Sequence, residues 1–291
     1  MKQALINFVK KILPQTLVDK VKAWRKKNRQ QTRLAINNGK DILVDILVGD
    51  KKFSIYVNPF LNGGVDDEIY KLGKWEPEIS AVIEKYLPEG GIFLDIGANI
   101  GYHTLYAALI VGNKGKVFSF EPLPRLSKQI KKSLEVNRID NVRIYETALS
   151  DKVGQADLSL VSENIGASSI KTIEHERIVD DKVLVEVNKL DNFTKTIEKL
   201  DVIKIDIEGN EVEALRGSKE LLQKFKPVII LEFSPNIYEQ DFSGKTKDLY
   251  NFLKSFGYKI TVIDNNNINL EEKINYGDFK DLHTNLLCLI P

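Results

Sequence analysis

Between residues 92 and 263 short apolar runs alternate with segments whose apolar positions return every three or four residues. Residues 92–96, 116–120, 142–147, 202–206, 227–232 and 259–263 read as strands, and 101–110, 125–137, 212–225 and 246–256 as helices. Strand and helix in turn predict a parallel sheet with helices on both faces, a doubly wound α/β fold. A last run, 285–290, follows a loop without a long helix and is expected to insert antiparallel beside the fifth and sixth strands as the seventh. In open sheets of this kind ligands bind beyond the carboxyl ends of the strands, where Asp95, Glu121, Ala148, Asp206 and Glu232 fall.

Ahead of this core, 42–48 and 53–57 flank Gly49-Asp50-Lys51-Lys52 and read as an antiparallel hairpin, a lid or an edge layer. Ile79, Val82, Ile83 and Tyr86 recur at helical spacing from 76 to 86, and Leu87-Pro88-Glu89-Gly90-Gly91 ends that helix. The crossover 150–200 is too long for one helix and carries β-like pieces at 156–161, 168–172 and 183–187; insertions on the ligand-facing rim tend to carry specificity. Three parts are expected: an extension over 1–40, a hairpin or lid region over 41–74, and the main domain over 75–291 with its insertion at about 150–200.

Charge is unevenly placed. Residues 1–40 hold eleven Lys and Arg and one acid, Asp19, leaving 31 basic and 40 acidic residues in the body. Leu5, Phe8, Val9 and Ile12, then Leu17, Val21 and Trp24, recur at helical spacing on either side of Pro14, so this segment reads as two short basic amphipathic helices. Such a segment can pack on the acidic body, or lie on an anionic membrane as a peripheral contact. Nucleic acid is not expected, because the body is acidic and shows no aromatic-basic interleaving. One cysteine, Cys288, excludes an intrachain disulfide, and no apolar run approaches the roughly 18 residues of a membrane span. A cytoplasmic protein is expected, with the inner face of the membrane open to it through the basic segment.

Candidate chemistry concentrates at the first two strand tips. The run Phe93-Leu94-Asp95-Ile96-Gly97-Ala98-Asn99-Ile100-Gly101 delivers a carboxylate and two glycines into a tight turn that opens a helix, and Glu121 ends the second strand. Gly97 and Gly101 let the backbone turn sharply and approach a ligand. A dinucleotide wants backbone amides and no negative charge near its pyrophosphate. S-adenosyl-L-methionine carries an ammonium, a sulfonium and a ribose diol, and it suits paired carboxylates: Asp95 near the ammonium, Glu121 on the ribose hydroxyls. The first helical turn, Tyr102 to Thr104, offers free amides to the donor's carboxylate. Asn99 in place of the middle glycine argues against a nicotinamide cofactor.

These residues resemble the FkbM-type methyltransferases, a family of the class I S-adenosylmethionine-dependent superfamily, over about residues 70–290. The resemblance rests on Asp95 to Thr104, Phe120-Glu121-Pro122, Ala148-Leu149-Ser150-Asp151 with Gly154, Leu190-Asp191, Ile203 to Glu211, Lys226-Pro227, Ile230-Leu231-Glu232 and Asn285-Leu286-Leu287. It implies a Rossmann-like seven-stranded sheet and methyl transfer to oxygen, usually a hydroxyl of a sugar, polyketide or other natural product. It further implies that Asp95, Gly97, Ala98, Asn99 and Gly101 line the methionine half of the donor, that Glu121 holds the ribose, and that backbone near Thr147 and Ala148 touches the adenine.

An alcohol needs its proton removed before it is a good nucleophile, so a carboxylate or histidine should stand near the methyl group. Asp206 and Glu208 lead as catalytic candidates, although either could instead cap the next helix or bind a lysine such as Lys204. Glu211 is expected to serve the first turn of its helix. His103, His175 and His283 are not separated by sequence. Asp206, Glu208 and Glu232 show no compelling metal-ligand spacing, and no metal is expected. The acceptor's identity and the oligomeric state stay open. The alternative to an enzyme is a membrane-peripheral scaffold that binds the donor without turnover.

Overall fold

The computed structural model describes residues 40–59, 64–160, 181–235, 244–263, 270–276 and 282–291. The basic helices expected within 1–39, the β piece at 168–172, and His175 lie outside them.

Strands β1 (Ile42–Val48) and β2 (Lys51–Val57) form the expected hairpin. Alternation turns Ile46, Phe53, Ile55 and Val57 inward and leaves Leu43 and Leu47 exposed. Next come two helices, α1 (Gly64–Leu72), where no helix is expected, and α2 (Pro77–Tyr86). The core then runs β3 (Ile92–Ile96), α3 (Tyr102–Val111), β4 (Lys116–Phe120), α4 (Pro124–Asn137) and β5 (Val142–Tyr145). The insertion follows, with β6 (Ala148–Leu149), β7 (Gly154–Leu160), β8 (Asp181–Asn188) and a 3-10 turn at Leu190–Thr196. The chain finishes with β9 (Val202–Ile205), α5 (Glu211–Arg216), α6 (Lys219–Phe225), β10 (Val228–Phe233), α7 (Lys245–Ser255), β11 (Lys259–Val262), α8 (Leu270–Tyr276) and β12 (Thr284–Leu289).

Seven strands form one Rossmann-like sheet in the order β11-β12-β10-β9-β3-β4-β5. Neighbours from β10 to β5 pair parallel, and β12 inserts antiparallel between β10 and β11. The core lies on both faces. On one, Leu94, Phe118, Ile203 and Leu231 pack with α5 to α8; on the other, Phe93, Val117 and Val202 pack with α2, α3 and α4. The hairpin covers α4 from outside, where Asn137 donates to the Ser54 carbonyl at 2.6 Å and accepts from its N–H at 2.8 Å.

Besides α1 and the short α8, which fall where no helix is expected, two elements differ from expectation. The helix expected over 212–225 is split at Gly217-Ser218, where the backbone closes on Ser150. The strand expected over 142–147 stops at Tyr145, and Ala148–Leu149 joins a separate sheet of order β6-β8-β7 that hangs over the carboxyl rim.

Candidate active site

Register sets the first group. Asp95 on β3 aligns with Ser119 on β4 and with Lys204 on β9, so three polar side chains share the face covered by α3. Thr104 Oγ1 donates to Asp95 Oδ2 at 2.5 Å and lies 3.0 Å from Ser119 Oγ. The other oxygen, Asp95 Oδ1, is buried with no hydrogen-bond partner among the described residues, and Asp95 lines a cavity of about 360 Å³. A buried carboxylate oxygen left unmatched is costly, and a cationic or hydroxylated ligand in that cavity would satisfy it.

Glu121 stands on the same wall. Asn99 N–H donates to its Oε2 and Leu123 N–H to its Oε1, both at 2.9 Å. Each carboxylate oxygen has a second acceptor position, so two hydroxyls can still be held. Burial, with a smaller push from Asp95, raises this carboxyl to about 8 despite the two amides. Gly97, Ala98, Asn99, Ala148, Asp206 and Glu208 also line the cavity. Gly101 and Thr104 stand behind that wall: Gly101 turns the chain into α3 against Ile130, and Thr104 spends its hydroxyl on Asp95. For these two the structure favours shaping the site over touching a ligand.

A charged group missed by the sequence reading as a unit lies beside Asp95. Lys204, 5% exposed, binds Asp206 Oδ2 at 3.0 Å. Burial opposes its charge, but Asp206, Glu76 and Asp95 together hold its pKa above the usual lysine value. Glu76 Oε2 accepts from His103 Nε2 at 3.0 Å; burial would raise its carboxyl, yet His103 and Lys204 bring it down to about 2. Trp75, immediately before Glu76, adds an aromatic wall to the cavity. The only sequence signal for this pair is its place before Pro77, where the chain enters α2.

On the far side Asp206, Glu208 and Glu232 each bring one oxygen within 4.8 Å of the others, a convergence the sequence spacing does not reveal. Lys204 already neutralises Asp206, and Glu232 is pushed well above the usual carboxylate range by burial and then by Asp206, Glu211 and Glu208. Glu211 does more than serve its own helix: fully buried, it accepts the N–H groups of Ile207 and Gly209 at 3.0–3.1 Å and so holds the loop that presents Glu208.

Three raised carboxyls, Glu232 among them, make stability depend on pH. Burial lifts Glu211 to about 7 and Glu121 to about 8, from an ordinary 4.5. Between 4.5 and those values the folded chain holds protons that the unfolded chain has released, so stability declines as pH rises. The urea midpoint of the ligand-free protein should therefore fall from pH 5 to pH 8, and Glu121→Gln should flatten part of that slope. An unchanged slope in the variant would refute the assignment to Glu121.

A seven-stranded sheet with its last strand reversed, and carboxylates at the tips of the first two parallel strands, defines a Rossmann-like methyltransferase. Residues 95–260 match the Methyltransferase FkbM domain, and the chain belongs to that family. Similar proteins include the 2-O-methyltransferase NoeI of Sinorhizobium fredii, 27% identical over 176 residues that make up 56% of this chain and 70% of the relative. Another is the hexuronic acid methyltransferase AglP of Haloferax volcanii, 26% identical over 166 residues, 56% of this chain and 66% of the relative. The crystal structure of Methyltransferase FkbM from Methylobacillus flagellatus KT aligns at a TM-score of 0.44 and 15% identity, covering 72% of this chain and 50% of that one.

Proposed function

We propose that this protein transfers a methyl group from S-adenosyl-L-methionine to a hydroxyl of a sugar or related natural product. The observation that carries the reading is Asp95 Oδ1, buried and unmatched among the described residues on the wall it shares with Glu121. Asp95 would take the donor's ammonium and Glu121 its ribose, with Gly97, Ala98 and Asn99 along the methionine half and Ala148 at the adenine. When bound, the donor supplies an electrophilic methyl group on a sulfonium. The chain's part is chiefly to align the acceptor, since positioning alone can supply roughly 7–11 kcal/mol. Asp206 and Glu208, beside the donor wall, would orient the acceptor hydroxyl. Oxygen as the target is supported by the names of the two relatives, one a 2-O-methyltransferase and one acting on a hexuronic acid. No helix among the described residues is long and apolar enough to cross a membrane.

Titration calorimetry with S-adenosylhomocysteine tests the donor site, and no binding would end the proposal. Release of S-adenosylhomocysteine from S-adenosylmethionine over a panel of methyl glycosides and glycuronides tests the acceptor class. Binding without release would favour a donor-binding scaffold. Glu121→Ala should weaken donor binding by about 1–3 kcal/mol, the scale of two hydrogen bonds of about 0.5–1.5 kcal/mol each. An unchanged affinity would remove Glu121 from the ribose.

A further inference from the structure

Insertion of β12 in reverse has a chemical result. Because that strand runs against the other six-strand direction at β10, its first residues, rather than its last, arrive at the carboxyl rim. The register pairs Phe233 with Thr284, which sets the next positions outward, Ser234 and His283, opposite each other. Ser234 Oγ and His283 Nδ1 lie 2.7 Å apart, and Ser234 donates to Glu232 Oε1 at 3.2 Å. Glu232 Oε1 is itself 3.7 Å from His283 Nδ1.

Direction in this chain of bonds follows from the donors available. Burial and its carboxylate neighbours keep a proton on Glu232, which that group shares with Asp206. Glu232 Oε1 is then left to take the single Ser234 hydroxyl proton, and Ser234 in turn accepts from the imidazole. His283 Nδ1 therefore carries the hydrogen, and Nε2 keeps its lone pair. Ser234 is fully buried, whereas the His283 side chain is 70% exposed and lines the mouth of the cavity that holds Asp95, Glu121 and Asp206. An imidazole oriented by this bond, with the Nε2 lone pair open on the cavity lining, is arranged to receive a proton.

Resting on the proposed O-methyl transfer, we infer that His283 Nε2 is the general base and that Ser234 and Glu232 are positioning residues that fix its tautomer. As the hydroxyl oxygen bonds to the methyl carbon and the bond from that carbon to sulfur breaks, its proton passes to Nε2. The imidazolium gains the positive charge that the sulfonium loses, and later releases the proton to water. Carboxylates facing the imidazolium are Glu232 from β10 and, around the same cavity, Asp206 and Glu208 from the loop after β9. Asp206 is a weaker choice for the base, since its Oδ2 is engaged by Lys204 at 3.0 Å.

The test uses the full chain in two measurements. In turnover on the glycoside panel, His283→Gln should lower kcat/KM at least about 100-fold, as expected on loss of a general base, and remove the acidic limb of its pH profile while S-adenosylhomocysteine binds as before. Ser234→Ala should lower kcat/KM less, by about tenfold, and Ser234→Thr should restore it. A His283→Gln variant within threefold of wild type overturns the assignment. The second measurement needs no acceptor. With only three histidines in the chain, 15N-labelled His283 can be followed by NMR. Neutral imidazole protonated at Nδ1, lost in Ser234→Ala, supports the relay, and protonation at Nε2 in wild type overturns it. Absence of turnover on every glycoside with the Nδ1 tautomer intact would count against the acceptor class and not against the relay.

Discussion

Lys204→Met should destabilise the folded protein by about 3 kcal/mol, the lower part of the 3–5 kcal/mol range for removing one partner of a buried ion pair. The ammonium is the cation that Asp206 binds at 3.0 Å, and its charge also acts on Glu76 and Asp95. Methionine keeps most of the side-chain volume, so the loss reports charge and not a cavity. Asp95 is buried, and without the lysine its negative charge keeps the hydrogen bond from the Thr104 hydroxyl, which itself lies 3.0 Å from Ser119 Oγ. Asp206 and Glu76 retain partial exposure of 28% and 20%, which is why the upper end of the range is not expected. Chemical denaturation of wild type, Lys204→Met, Asp206→Asn and the double variant measures the effect. The double variant should recover part of the loss, because it removes the charge left uncompensated. A single-variant loss below 1 kcal/mol would mean that water, not Lys204, balances these carboxylates.

Much of this arrangement was legible as pattern, and the remainder depends on register. Apolar runs of four to six residues fix the strands whatever their neighbours, and the reversed last strand follows from the lack of a long helix before it, α8 having only seven residues. What the alternation does not contain is which residues stand side by side on neighbouring strands. Lys204 in Ile203-Lys204-Ile205-Asp206 looks like a polar interruption of a buried strand until the register sets it against Asp95. His283 likewise precedes a strand of no chemical interest in sequence, and meets Ser234 only because β12 runs backward. Thr104 has the position of an amide donor at a helix start, but its hydroxyl is captured by a carboxylate nine residues earlier. The split of 212–225 into two helices was hidden for the opposite reason, since Gly217-Ser218 are weak breaks that tertiary contact with Ser150 makes decisive.

Gly97→Ala should cost more than 3 kcal/mol and abolish donor binding, a sum of left-handed strain and a backbone collision. Gly97 has φ +81°, and a Cβ there would stand 1.8 Å from the Asp206 carbonyl oxygen, 2.8 Å from its carbonyl carbon and 2.9 Å from Ile207 Cγ2. Neither backbone can yield cheaply. Gly97 N–H donates to the Phe120 carbonyl at 3.0 Å, and Asp206 N–H donates to the Ile96 carbonyl at 3.0 Å, so both tips are tied into the sheet. Relief would require β3 and β9 to part at the rim where Asp95, Lys204 and Asp206 meet. Gly244→Ala is the control: it has φ +71° and ψ 14° with nothing within 4 Å of an added Cβ, and should cost only the left-handed strain of about 1–2 kcal/mol. Urea denaturation gives the stability difference and calorimetry with S-adenosylhomocysteine the binding. Equal losses in the two variants would show that the strand tips move apart freely, and would remove the rigid contact between Gly97 and Asp206 on which the shape of the donor wall depends.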